Sequence, residues 1–157
     1  MYTRAYDKDR HLLVTLFSGR SNTYQDFQRA AADAVAADSD AVGSADGVIH
    51  IAEITPGCPP PDPRCRKLLQ DAVRSATRAS RYVACFITSS SLARGVLTTL
   101  RWFQPTDAPH VPRAFARFED AVAFAETHRP GVAARLLELR CEAFTLAEQA
   151  PGEGRQR

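Results

Sequence analysis

The stretch Arg81–Phe103, RYVACFITSSSLARGVLTTLRWF, decides the fold. It opens with a run of β-branched and aromatic residues, Tyr82–Thr88, that is too short to span a membrane and too apolar for a sheet edge. Such a run is typical of a central strand buried on both faces. Three serines follow, and beyond them apolar residues recur at the spacing of an amphipathic helix: Leu92, Val96, Leu100 and Phe103. A strand, a polar turn and a helix that folds back over the sheet make half of a βαβ unit.

The residues that begin the chain predict a β-hairpin followed by a helix. Residues 2–6 and 11–18 have the composition and alternation of two strands, and a short charged turn joins them. Thr23 and Asp26 then have the spacing of a capping box, which predicts the start of a first helix. We expect that helix to fray at residues 38–40.

A second buried strand and a stiff loop come next. Val48–Ile54 is the strand, and it carries His50 and Glu53 on opposite faces. Thr55–Pro63 holds five prolines in nine residues, so neither a helix nor a strand continues through it. Asp62 can cap the helix that follows.

The last third of the sequence predicts a short strand over Ala114–Phe118, a helix over Glu119–His128 and a final helix over Val132–Gln149. We assign residues 1–128 to one domain, 129–149 to an additional C-terminal helix and 150–157 to a disordered tail. The fold class is therefore α/β: a mixed, mainly parallel sheet opened by a β-hairpin, with helices packed on it.

Composition excludes several classes of protein. A net charge of +2, with basic residues spread along all 157 positions, does not favour nucleic-acid binding. Arginine outnumbers lysine 18 to 2, which a GC-rich genome explains. No signal peptide or membrane-length apolar run is present, so we expect a cytoplasmic protein with no membrane contact. The cysteines show no metal-ligand spacing, so we expect reduced thiols and no cofactor: Cys58, Cys65, Cys85 and Cys141.

The order of elements, with SSLARGVLTTLRWF leading into a short strand and then FEDAVAFAE, resembles the SpoIIAA-like group of the STAS superfamily. The resemblance covers about residues 2–128 and depends mainly on packing positions. These are Arg94, Trp102 or Phe103, Phe118, Ala121 and Phe124.

The resemblance implies a non-enzymatic module that acts by protein–protein contact, and a small dimer in the SpoIIAA-like branch. In the anti-sigma-factor antagonists of the superfamily, a serine at the start of one helix is phosphorylated to switch partner binding. The equivalent region, Pro56–Lys67, contains no serine or threonine, so a phosphorylation switch of that kind is not expected.

The best candidate ligand site is the turn before the third predicted helix. Ser89, Ser90, Ser91 and Arg94 would bring hydroxyls, free N–H groups and a guanidinium to one anion. A helix end and one charged hydrogen bond together give only about millimolar affinity. The alternative is a serine cap with Arg94 paired to a surface acid.

Two catalytic arrangements are weaker. His50 and Glu53 would supply an acid and a base, but they point to opposite faces, so we expect satisfied polar residues near the open edge of the sheet. Cys58 with His50, His110 or His128 would make a nucleophilic pair, which the spacing does not support.

Two surfaces are candidates for partner binding. One is the start of the second helix, with Asp62, Arg64, Arg66 and Lys67 at the carboxyl end of a buried strand. The other is a coiled-coil-like seam on the last helix that includes Leu136, Leu139 and Leu146, and this seam either forms a homodimer or packs on its own sheet. The sequence thus predicts a non-catalytic regulatory or adaptor module, with a small-molecule or anion-binding protein, or an enzyme, at the Ser89–Arg94 turn as the alternative.

Overall fold

A computed structural model of the chain describes residues 1–20, 22–59, 61–79, 81–90 and 113–150. Within these ranges the chain forms five strands and four helices, which we number in chain order. The strands are β1 (Tyr2–Asp7), β2 (Leu12–Phe17), β3 (Val48–Ile54), β4 (Tyr82–Thr88) and β5 (Arg113–Phe115). The helices are α1 (Tyr24–Asp40), α2 (Pro63–Ala79), α3 (Phe118–His128) and α4 (Ala133–Gln149).

The strands form one mixed sheet in the order β1-β2-β3-β4-β5. The hairpin pair β1 and β2 is antiparallel, and every other neighbouring pair is parallel. β4 pairs with β3 on one side and β5 on the other, so the apolar run that opens the deciding stretch is interior, as predicted. The general α/β class with a mainly parallel sheet is confirmed.

Helices cover both faces of this sheet. On one face, α1 and α2 pack over alternate strand residues such as Leu13, Phe17 and Tyr82. On the other face, α3 and α4 pack over the residues between them, and this larger cluster includes Leu12, Val14, Ile49, Ile51, Val83 and Cys85. The period of two along each strand therefore divides the core into two layers, one for each pair of helices.

Short-range capping explains where three helices begin. The Thr23 hydroxyl accepts the Asp26 N–H, and the Asp26 carboxylate accepts the Thr23 N–H at 2.9 Å, which is the predicted capping box. Asp62 Oδ1 accepts the Cys65 N–H at 2.7 Å at the start of α2. The start of α4 has no side-chain cap of its own, and Glu126 of α3 instead accepts the N–H groups of Gly131 and Ala133.

Several element boundaries differ from the predictions. The last strand ends at Phe115, because Phe118 begins α3 and its side chain is buried between that helix and the sheet. α1 does not fray at residues 38–40, because Asp38 is 3% exposed and the Ala41 N–H closes the last turn on Ala37 and Asp38. The helix predicted over Leu92–Phe103 lies outside the described residues, as does the predicted tail except for Ala150.

The final helix belongs to the same core as the sheet. Leu136 and Leu139 are 0% exposed and pack against strand residues of β1 and β2, and Thr3 Oγ1 donates to the Ala143 carbonyl at 3.0 Å. Of the two arrangements that the sequence left open for the seam, packing on the protein's own sheet is the one observed. Leu136 and Leu139 are therefore not available to a partner in this conformation, whereas Leu146 is 48% exposed.

Candidate functional site

The carboxyl ends of β2, β3 and β4 meet at one edge of the sheet, where ligands and partners of open α/β sheets bind. The loop after β3 is fastened to the end of β2, because the N–H of Thr55 donates to the Phe17 carbonyl at 3.0 Å. Ser89 and Ser90 follow β4 and are exposed. Thr88 pairs with Ile54 in the sheet, so the loops after β3 and β4 leave the sheet side by side.

The structure describes only Ser89 and Ser90 of the predicted anion site at Ser89, Ser90, Ser91 and Arg94. The Ser90 N–H donates to the Thr88 hydroxyl at 3.2 Å, so this amide is turned back toward the strand that precedes it. Ser91 and Arg94 lie outside the described residues. The convergence of serine hydroxyls and a guanidinium on one anion stays a prediction.

The start of α2 places its three basic side chains on the surface beside the same edge. Arg64, Arg66 and Lys67 are exposed, as is the capping residue Asp62. The Cζ atom of Arg64 lies 4.0 Å from the centroid of the Tyr24 ring, so the guanidinium stacks on the first turn of α1. We call Arg64, Arg66 and Lys67 the α2 basic surface.

Asp62 caps the start of α2 at this surface, and its predicted role in partner contact stays a prediction. Its carboxylate accepts the Cys65 N–H, and this hydrogen bond lowers the pKa of Asp62. Lys67 is paired with Asp71 one turn later, at 2.9 Å. Arg64 and Arg66 have no ion pair among the described residues, although the nearby Asp62 carboxylate interacts electrostatically with Arg64.

Cys58, in the proline-rich loop, does not have the environment of a nucleophile. The Asn22 amide donates to its sulfur at 2.7 Å, and burial raises the pKa of the Cys58 thiol, so the thiol is neutral at physiological pH. His50 is held by other residues, and His110 lies outside the described residues. All four cysteines are free thiols.

Glu53 forms an ion pair that the sequence did not reveal. The residue is 9% exposed, and its carboxylate accepts hydrogen bonds from Arg140 Nε and Nη2 of α4, both at 2.8 Å. The Arg140 guanidinium also lies over the Phe118 ring, 4.6 Å from its centroid. This bidentate geometry satisfies both oxygens of Glu53, so the residue joins β3 to α4 instead of acting as a free acid or base.

His50 is satisfied on the opposite face of the same strand. Its Nε2 lies 2.9 Å from the Thr15 hydroxyl on β2, and its Nδ1 lies 2.7 Å from the Tyr82 hydroxyl on β4. A neutral imidazole has one donor and one acceptor, and a hydroxyl can serve either. The expectation of satisfied polar residues holds for the hydrogen bonds, but His50 lies in the middle of the central strand and not near the open edge.

The partly buried His50 predicts a specific pH dependence of stability. Burial lowers the pKa of His50 from 6.5 to about 4 in the native protein. Between these two pH values the imidazole is protonated in the unfolded chain but not in the native protein, so acid favours unfolding. Stability is full above the unfolded pKa and decreases as the pH falls toward about 4, by about 1.4 kcal/mol for each pH unit. Urea unfolding of the wild type and of His50→Gln at a series of pH values measures this term. Equal slopes of unfolding free energy against pH in the two proteins would contradict it.

Comparison of the chain with protein-family models, with curated proteins and with solved structures gives no match. Among the residues that the structure describes, no group of three or more histidine, cysteine or acidic side chains is arranged to hold a metal ion. Within the same ranges, no helix has both the length and the apolar character needed to cross a bilayer.

Proposed function

We propose that the protein is a non-catalytic regulatory or adaptor module that binds an acidic surface of another protein through the α2 basic surface. The observation that carries this proposal is the stacking of Arg64 on Tyr24. Stacking occupies the face of the guanidinium and leaves its N–H edge for acceptors outside the chain. A carboxylate pair on a partner matches that edge.

Pre-organisation makes Arg64 suited to this role. A free arginine side chain loses conformational entropy when a partner immobilises it, and the Tyr24 ring already restricts the guanidinium before binding. Tyrosine and arginine are also among the residue types enriched at the energetic centres of protein interfaces. Arg66 is also exposed at the start of α2, but it lies two residues along the helix and points to a different side from Arg64, so it adds positive charge near the contact rather than a second cation on the same face.

The placement of the surface supports the proposal. It lies where the proline-rich loop after β3 leads into α2, and Asp62 caps the first turn of that helix. The resemblance to the SpoIIAA-like group, whose members act through protein contact, agrees with a contact module. Family membership itself stays a prediction.

Charge reversal tests the proposal. We expect Arg64→Glu/Arg66→Glu to reduce capture of the partner from an extract of the native host by roughly tenfold or more, because it replaces attraction to an acidic surface with repulsion. The partner identified by mass spectrometry is then purified and its affinity for the wild type and the variant is measured by calorimetry.

The matched control is Arg113→Glu/Arg117→Glu. It reverses two exposed arginines at β5 and the start of α3, one of which also stacks on an aromatic ring, 4.4 Å from the centroid of Phe124. Binding that survives in this control and is lost in the α2 variant supports the proposal. An unchanged affinity in the α2 variant, or an equal loss in both, rules out the α2 basic surface as the specific contact.

A further inference from the structure

The strand β1 lies at the edge of the sheet, and the pattern of its hydrogen bonds with β2 shows which of its backbone groups face outward. The N-terminal ammonium of Met1 donates to the Ser18 carbonyl at 2.8 Å, and the Ser18 N–H donates to the Met1 carbonyl at 2.9 Å. In an antiparallel ladder, residues opposite each other alternate between such hydrogen-bonded pairs and pairs without hydrogen bonds. Thr3, Ala5 and Asp7 therefore bond to β2, and the N–H and C=O groups of the residues between them point away from the sheet.

The outward groups belong to Tyr2, Arg4 and Tyr6. Within the described ranges, no backbone or side-chain group bonds to them. An edge strand of this length with unpaired backbone groups is a template for another strand unless charges, proline or a bulge protect it. β1 contains no proline, and its register with β2 is continuous from Tyr2 to Asp7.

The charged side chains Arg4, Asp7 and Lys8 of this edge already form intramolecular ion pairs. Arg4 pairs with Asp33 of α1 at 2.5 Å, and Lys8 pairs with Asp40 at 3.4 Å. On the other face of β1, Asp7 pairs with Arg135 of α4 at 2.8 Å. A charge that has an internal counter-ion is a weak barrier to a second strand, because the edge as a whole presents ion pairs and not one sign of charge.

We propose that β1 pairs with β1 of a second copy of this chain, antiparallel and about a twofold axis at Arg4, to give a homodimer with one continuous sheet. This inference goes beyond the proposed function and uses a different surface. With Arg4 opposite Arg4 of the second copy, Tyr2 lies opposite Tyr6, so every outward group of the strand finds a partner. No other antiparallel register of the two strands pairs all of them.

The side chains on both faces fit a second copy. Each Arg4 brings its own Asp33 counter-ion to the interface. In the proposed dimer, each guanidinium therefore also approaches the Asp33 carboxylate of the other copy. The half-buried Tyr6 lies opposite Tyr2 of the second copy, whose ring is packed against its own Phe17, and aromatic residues at opposed positions stabilise antiparallel sheets. On the opposite face, α4 lies along β1, because Arg135 contacts Asp7 and the Ala143 carbonyl contacts Thr3. Leu146 is on the same side of α4 as Arg135 and Glu142 and is the exposed apolar residue beside the new strand.

A matched pair of substitutions at one position tests the dimer. Arg4→Pro removes the outward N–H, whereas Arg4→Ala removes the same ion pair with Asp33 and keeps the N–H. We expect light scattering after size-exclusion chromatography to give a dimer for the wild type and for Arg4→Ala, and a monomer for Arg4→Pro. A wild-type protein that is monomeric up to submillimolar concentration, or an Arg4→Pro variant that remains dimeric, overturns the proposal.

A second measurement covers the outcome in which Arg4→Pro does not fold. Opposed residues in a hydrogen-bonded pair have Cα atoms about 5.5 Å apart, which is within the range that a disulfide spans. Arg4→Cys in a Cys141→Ser background is therefore expected to form a disulfide-linked dimer when oxidised with glutathione disulfide. Val42→Cys, at an exposed site in the loop before β3, is the control in the same background, and we expect it to form no disulfide-linked dimer. Failure of Arg4→Cys to cross-link above this control also overturns the proposal.

Discussion

Replacing Gly47 with alanine is expected to destabilise the protein by about 4 kcal/mol or more, which places it among the exceptional single substitutions. A Cβ atom at this position would lie 1.8 Å from the Arg81 carbonyl oxygen and 2.5 Å from the Arg81 Cβ. Neither neighbour can move freely, because the Val48 N–H donates to the same carbonyl at 2.7 Å where β3 and β4 begin to pair. Gly47 also has a φ of +64°, where a side chain is disfavoured.

Gly43 provides the control for this prediction. It has a φ of +86°, and among the described residues no atom lies within 4 Å of the position that a Cβ would occupy. Gly43→Ala should therefore show the cost of the left-handed backbone alone, about 1–2 kcal/mol. Urea unfolding followed by circular dichroism compares the two variants with the wild type. Equal losses would mean that the close approach to Arg81 contributes nothing.

The sequence predicts features that depend on neighbouring residues. The bounds of β3 and β4, the interior position of β4 and the capping box at Thr23 and Asp26 all follow from local composition and spacing. Each of these signals is contained in a few consecutive residues, so the long-range fold does not change it. The expected fraying of α1 failed because it rested on local propensity, whereas Asp38 is buried by tertiary contacts.

The polar pairs inside the fold could not be predicted in this way. His50 lies directly opposite Leu13 of β2 and Ala84 of β4. Its hydrogen-bond partners, Thr15 and Tyr82, are each two residues along the strand from those opposed positions. That offset depends on strand register, which the hydrophobic pattern fixes only once the order of strands is known. The close approach of Gly47 to Arg81 has the same origin, since a glycine before a strand resembles any other loop glycine.

The partner of Glu53 is the largest omission, and only one signal in the sequence points toward it. Arg140 follows Leu139 directly, so it flanks the apolar seam of α4 on one side, as Arg135 and Glu142 flank it on the other. Which acid Arg140 contacts depends on how α4 is placed over the sheet. The apolar pattern of α4 does not determine that placement, because in the sequence alone it is equally consistent with a dimer. The dimer interface that we propose at β1 likewise depends on strand order, not on the apolar pattern of α4.

Removing Arg140 is expected to cost about 3–5 kcal/mol of unfolding free energy, because it leaves a buried carboxylate without a counter-ion. In Arg140→Met, Glu53 keeps its buried position between Leu16 and Ile87 but loses both charge-assisted hydrogen bonds. Methionine retains much of the apolar contact with the Phe118 ring, so the loss measured by urea unfolding reports mainly on the unpaired charge.

The double variant Glu53→Leu/Arg140→Met separates charge from packing. An apolar pair of similar volume avoids the desolvation of both ions, so we expect the double variant to unfold within about 1 kcal/mol of the wild type, or to be more stable. This result would mean that the ion pair fixes the placement of α4 on β3 without adding net stability. If the double variant is instead as unstable as Arg140→Met, the loss comes from the guanidinium contacts with Phe118 and Phe144, and the buried carboxylate is not its cause.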